Sequence, residues 1–420
     1  MVLEHRGKRH SAKVLTTPRA PEEGMLEGIG RVLAAAKLAP RDVGVLIHGT
    51  TLATNALIER KGARTALLTT RGFRDVLEMG YEKRYEHYDL DLELPAPLVP
   101  RELRFPVTER VTAQGKVHVK LVEDEILGLA GKLKEEKVQA VAIGFLHSYV
   151  NDKHEKRVAE LIEKAIPGIA ITLSSAVCPE IREYERFSTA CANAYVQPLM
   201  GSYLTRLEKE LARRGFGCPV YLMTSGGGLT TIETARRYPV RLVESGPAGG
   251  AILSAGLARE NGLEEVLSFD MGGTTAKICF IAGGRPEQSR KFEVARVWRN
   301  LKGSGLPVRI PVTEMVEIGA GGGSIARLDA MKRIQVGPSS AGAEPGPACY
   351  GRGGTEPTVT DAAVVLGRID PISFAGGTLA LDGAAAEKAI HKRVGEPLGM
   401  DARWAAAGIG EIVEENMASA

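Results

Sequence analysis

The segment VLSFDMGGTTAKICFI, residues 266–281, gathers the residue types that handle phosphate. A strand-like run ends on Asp270. The turn Gly272–Gly273 follows, then the hydroxyls of Thr274 and Thr275, then a second strand-like run. Glycines let backbone N–H groups close on phosphate oxygens, hydroxyls add donors, and a carboxylate can hold a magnesium ion directly or through water. Asp270 is therefore the candidate catalytic and metal-holding carboxylate. Lys277 adds positive charge if it points inward, and on a strand it could equally face solvent. A tight hairpin with a solvated aspartate has the same residues, because Asp-x-Gly is ordinary turn chemistry. No GxxxxGK[ST] run occurs, so this is not a P-loop. A strand follows the glycines where a dinucleotide fingerprint needs a helix.

A second segment, VEIGAGGGSIARLD (316–329), repeats the pattern with Gly321, Gly322, Gly323 and Ser324 between two strand-like runs. Two such loops facing each other across a cleft describe a nucleotide-binding fold of the actin and sugar-kinase type. Two further glycine runs are 225–228 and 245–250. Ser225 and Gly226 stand as phosphate candidates, while Gly249 and Gly250 suit close helix–strand packing. His48 ends an apolar run before GTTLATN, and ligands collect at strand ends of that kind in α/β sheets. It could polarise a substrate, or bond the loop backbone. Glu344 and Asp361 lie in or after a loop dense in Gly and Pro, where either could serve a metal or a water, or simply shape a turn or cap a helix.

The elements that would position these groups alternate. DVGVLIHGT reads as a strand, LATNALIERKG as a helix closed by Gly62, and ARTALLTT as a strand. DEILGLAGKLKEEK reads as a helix feeding VQAVAIGFLHSYV, a strand buried on both faces. NDKHEKRVAELIEKAI reads as a helix capped by Asn151, and residues 180–214 as a long helix. PVRLVESGPAGGAILSAGLA reads as strand, glycine loop and helix. This alternation is the α/β signature.

Composition narrows the function classes. The 420 residues carry 54 Lys+Arg against 51 Asp+Glu, a net charge of +3, which argues against a protein that wraps nucleic acid by bulk charge. No apolar run reaches the ~18 residues that span a bilayer. Five scattered cysteines without a CxxC predict reduced thiols and a cytoplasmic protein.

Six segments resemble the hydantoinase A / 5-oxoprolinase family, in order along nearly the whole chain. They are HGTTLATNALIERKGARTALLTTRGFRDVLEMG (48–80), CPEIREYERFSTACANAYVQP (178–198), VESGPAGG (243–250), FDMGGTTAK (269–277), IGAGGGSIA (318–326) and GPSSAGAEPGPACYGRGGTEPTVTDAAVVLGRID (337–370). The resemblance implies an actin-like ATPase fold of two ribonuclease-H-like halves, here residues 1–180 and 181–420. It implies ATP and Mg²⁺ as cofactors and phosphorylation of a carbonyl or amide oxygen that drives hydrolysis of a cyclic amide or imide. A ketone carboxylase subunit is the alternative. The implied partner is a hydantoinase B-type subunit. The expected substrate is a small cyclic amide, imide or ketone, with no nucleic acid and no membrane. Family members open with a further phosphate hairpin and continue beyond the last helix with another glycine-rich element. Neither is matched here, so the chain is expected to be the middle of a longer subunit, or else a non-catalytic assembly subunit. Asp270, His48 and Glu344 are the expected catalytic residues.

Overall fold

The computed structural model describes residues 1–14, 20–296, 302–377 and 379–419. It begins with a hairpin of β1 (Val2–His5) and β2 (Lys8–Ser11). Proline suits a helix's first turn, where the N–H that it lacks would have no partner. Pro21 accordingly starts α1 (Pro21–Ala36), which buries Met25, Leu26, Ile29, Val32 and Leu33. The strand β3 (Leu46–His48) leads into α2 (Leu52–Ile58), which ends before Gly62.

Next come β4 (Thr65–Thr70), β5 (Arg104–Val107), α3 (Glu123–Glu135), β6 (Ala140–Gly144), α4 (Lys153–Ala165) and β7 (Ala170–Leu173). Their strands form a parallel sheet in the order β5-β4-β6-β7. Every residue of β4 and β6 is buried, which is why both read as continuous apolar runs. Asn151 does not cap α4. The cap position is Asp152, and Asn151 donates to the Gly115 carbonyl at 2.7 Å.

The long helix α5 (Glu183–Arg213) crosses this sheet closely enough that a Cβ on Gly144 would lie 2.5 Å from the Phe187 ring. Beyond it, β8 (Val220–Met223) runs parallel to β3 and antiparallel to β9 (Leu229–Thr231). The segment PVRLV is not the expected strand. Pro239–Leu242 is a 3₁₀ turn, because proline has no N–H for a ladder and its φ suits a helical start. The helix α6 (Ser245–Glu260) follows without a separate glycine loop.

The remaining chain pairs β10 (Glu265–Met271) with β11 (Ala276–Ala282), and β11 with β12 (Val316–Ile318). A second antiparallel pair joins β13 (Ser324–Leu328) to β14 (Ile334–Ser340). Then come α7 (Val359–Val365), α8 (Gly383–Ile390) and α9 (Ala402–Ser419).

Two compact units result. Of the described residues, the first holds those of 1–249, 288–296 and 302–313, the second those of 250–287 and 314–419. The first has a continuous core running from α1 through the parallel sheet to α5. The second is smaller and centred on Ala326, Ala362, Ile390, Ala405 and Ile409. The α/β class read from the sequence is the one observed. No helix among the described residues is long and apolar enough to cross a membrane. All five cysteines are free thiols.

Candidate functional site

In the second unit, strand pairing places Asp270 directly opposite Lys277, and Lys277 opposite Glu317. Directly opposed residues share a sheet face, so these three form one charged row across β10, β11 and β12. The tip between β10 and β11 is Gly272–Thr275, closed by Gly272 N–H donating to the Thr275 carbonyl at 2.9 Å. The backbone N–H groups of Gly273, Thr274 and Thr275 have no hydrogen-bond partner among the described residues. Asp270 and Thr274 are exposed, and the Asp270 carboxylate makes no ion pair or hydrogen bond among the described residues. The tip thus offers three backbone donors, two hydroxyls and an uncommitted carboxylate, groups of the kinds that can meet phosphate and magnesium.

Gly321–Gly323 are placed differently from expectation. They do not face the tip across a cleft; they are wedged under it. Gly322 N–H donates to the Gly272 carbonyl at 3.0 Å and Gly323 N–H to the Gly273 carbonyl at 2.6 Å. Gly321 N–H donates to Ser324 Oγ at 2.9 Å, and Ser324 is fully buried. A Cβ on Gly321 would lie 2.6 Å from Thr274 N, and one on Gly323 2.8 Å from the Gly273 oxygen. Close approach, not a positive φ, is what requires glycine here. On the far side, Thr360 donates to the Gly322 carbonyl through both N–H (2.7 Å) and Oγ1 (2.8 Å). These donors are engaged within the protein, so the loop supports the tip from below.

Glu344 stands in the loop after β14, which is tied to the wedge by Ala341 N–H donating to the Gly323 carbonyl at 2.8 Å. Its carboxylate is exposed and has no partner among the described residues. Asp361 is buried and committed. It accepts from Ala348 N (3.2 Å), Cys349 N (2.7 Å), Thr358 N (2.9 Å) and Thr358 Oγ1 (2.8 Å), capping α7 and fixing the Gly/Pro loop. Of the two carboxylates in that region, only Glu344 keeps its oxygens for a ligand.

The first unit holds His48, Ser225 and Gly226. His48 ends β3, with Nε2 2.7 Å from Tyr203 Oη on α5. Burial pushes the imidazole down to about 4 and the Tyr203 phenol up to about 12, so the two form a neutral pair over the ordinary pH range. The loop after His48 is clasped from far along the chain. Ser245 Oγ donates to the Thr50 carbonyl at 3.1 Å, and Glu244 N–H to Thr54 Oγ1 at 2.9 Å. Ser225 is not free to meet phosphate. Its hydroxyl (2.7 Å) and its N–H (2.8 Å) both donate to the Arg241 carbonyl. The Gly226 carbonyl accepts from Gln288 Nε2 at 3.1 Å. Tyr203 has no local sequence signal that pairs it with His48, since 155 positions separate them.

Among the described residues no three His, Cys, Asp or Glu side chains converge as a metal cage. Magnesium is usually held by one or two carboxylates plus substrate phosphates. Asp270 beside three unpartnered N–H groups fits such a shared ion.

Residues 186–420 match the hydantoinase/oxoprolinase family, and residues 1–166 match the hydantoinase/oxoprolinase N-terminal region. The chain belongs to this family. Among its hydantoinase/oxoprolinase relatives is the caprolactamase subunit alpha of Pseudomonas jessenii, 36% identical over all of this chain and 60% of that one. The acetophenone carboxylase gamma subunit of Aromatoleum aromaticum is 35% identical, over all of this chain and 58% of that one. The crystal structure of the ATP-dependent caprolactamase from Pseudomonas jessenii superposes with a TM-score of 0.83 at 35% identity, covering 99% of this chain and 60% of that one. The chain therefore spans about 60% of the length of these two curated relatives.

Proposed function

We propose that this chain is the ATP-dependent part of a hydantoinase/oxoprolinase-type enzyme that phosphorylates a carbonyl or amide oxygen of a small cyclic amide or imide. The observation that carries this reading is the β10–β11 tip, with three unpartnered N–H groups and the uncommitted Asp270. Family membership supports it. Gly273, Thr274 and Thr275 would receive phosphate oxygens, Asp270 would hold magnesium, and Gly321–Gly323 would keep the tip rigid. Bound magnesium would offset charge on the transferring phosphoryl group. The amide oxygen forms a bond to the γ-phosphorus as the bond from that phosphorus to ADP breaks. One water then adds at the activated carbon so that the C–N bond breaks and the amine leaves. A second water releases phosphate. Catalysis of this kind is chiefly positional and electrostatic. Similarity to an acetophenone carboxylase subunit favours a second reading, in which the phosphorylated oxygen belongs to a ketone enolate that is then carboxylated.

Calorimetric titration of the purified chain with ATP and Mg²⁺ tests the proposal. Saturable binding is expected, weakened at least about tenfold in Asp270→Ala. Asp270 is exposed and bonds nothing described, so that variant should keep its stability within about 0.5 kcal/mol. Equal affinity in the two proteins, or none in a folded wild type, overturns the reading.

A further inference from the structure

His48 and Tyr203 together leave one proton donor that the reading above does not use. Tyr203 on α5 is fully buried. The only hydrogen-bond partner of its hydroxyl among the described residues is His48 Nε2, at 2.7 Å. A buried hydroxyl without an acceptor is costly, so the phenol donates and Nε2 accepts. A neutral imidazole carries one N–H, and the nitrogen that accepts is not the one that bears it. The proton of His48 is therefore on Nδ1. Turning the ring over would break the bond to Tyr203, so the donor is fixed in place.

Nδ1 makes no hydrogen bond among the described residues, and it is open to solvent. The imidazole is half-buried at the end of β3, which runs parallel to β8 with His48 opposite Leu222. Ligands in α/β sheets collect at such carboxyl ends. The next residue, Gly49, is exposed, and a Cβ there would meet nothing nearer than 4.0 Å. The chain beside the imidazole is thus open, while the bonds from Glu244 and Ser245 hold the loop that follows.

We infer that His48 Nδ1–H receives the carbonyl oxygen of the small cyclic amide or imide, with Tyr203 as the residue that positions the imidazole. The class of ligand rests on the function proposed above. A carbonyl oxygen has two lone pairs. His48 takes one and leaves the other for phosphorylation. An imidazole held neutral suits an uncharged acceptor, whereas an imidazolium would favour an anion. A donor already fixed before the ligand arrives costs no reorganisation when the ligand binds.

The test labels the full chain with ¹⁵N-histidine and reads the tautomers from two-bond ¹H–¹⁵N correlations at neutral pH. His48→Gln identifies the His48 signals by their loss. Wild type should show His48 as the Nδ1–H tautomer. Tyr203→Phe keeps the ring and removes the donor, and should shift His48 toward the Nε2–H form. Caprolactam and, separately, succinimide are then added without nucleotide. At least one should move the His48 signals saturably, with affinity about fivefold weaker in Tyr203→Phe, the worth of one oriented hydrogen bond. The Nε2–H tautomer in wild type, no saturable shift with either amide, or equal affinity in the two proteins overturns the inference. The wild-type tautomer and titration decide it whether or not Tyr203→Phe folds. No nucleotide is present, so a protein that fails to bind ATP can still pass this test, and one that binds ATP can still fail it.

Discussion

Burial takes His48 out of the range in which an exposed imidazole titrates. Its folded pKa is about 4, against an ordinary value of 6.5. Between those values the unfolded chain binds a proton that the folded chain refuses. Stability from this group is therefore complete above about 6.5 and is lost as pH falls toward 4, by up to about 1.4 kcal/mol per pH unit. His48→Gln should remove that slope. Urea unfolding at pH 4.5 and pH 7 should show a larger drop for wild type than for the variant. Equal drops, or an imidazole resonance titrating near 6.5, would refute the neutral pair with Tyr203. A neutral His48 with Nε2 engaged is suited to donate or accept one hydrogen bond, not to carry charge. Its place at a strand end was legible in the sequence, because an apolar run stopping at a polar GTT segment announces it. Its partner was not, because a contact across 155 positions leaves no local pattern. Ser225 stands as a loop donor in the sequence because the Arg241 carbonyl that accepts its hydrogen bond comes from a turn whose residues read as a strand.

The glycine segments show what periodicity conveys at the level of elements and what it omits. Strand, glycines, strand was readable at both 266–281 and 316–329. Pairing was not. The first is a true hairpin, whereas β12 pairs with β11 and β13 with β14, so the second segment passes between two sheets. That passage is what drives Gly321–Gly323 beneath the hairpin tip. Substituting Gly321 by alanine sets a methyl against backbone at 2.6 Å, where no flexible side chain can yield. The expected cost is about 1–3 kcal/mol in urea unfolding, as for other overpacked sites. Gly250→Ala is the control. It lies in α6 with nothing within 4 Å of the added carbon, so alanine should be neutral or stabilise by about 0.5–1 kcal/mol. If Gly321→Ala matches Gly250→Ala, the wedge is not what holds the tip.

At the scale of the whole molecule, the chain corresponds to about 60% of relatives that are themselves named as subunits. On β10, Leu267, Phe269 and Met271 are exposed, and β10 pairs only with β11 among the described residues. An edge strand with apolar side chains is a surface that proteins usually cover. Two readings of the molecule diverge from this point. In one, the phosphate tip turns over ATP within an assembly that includes a hydantoinase B-type subunit. In the other, the chain serves assembly alone. Mixing the chain with such a subunit, and following mass by light scattering and phosphate release together, separates them. The first reading expects a complex from both wild type and Asp270→Ala, with phosphate release only from wild type. Asp270 bonds nothing described, so its loss should leave assembly intact. Complexes that release no phosphate in either case would assign the chain to assembly. A complex lost only in Asp270→Ala would mean that the carboxylate serves the interface, and the tip would then need a different account.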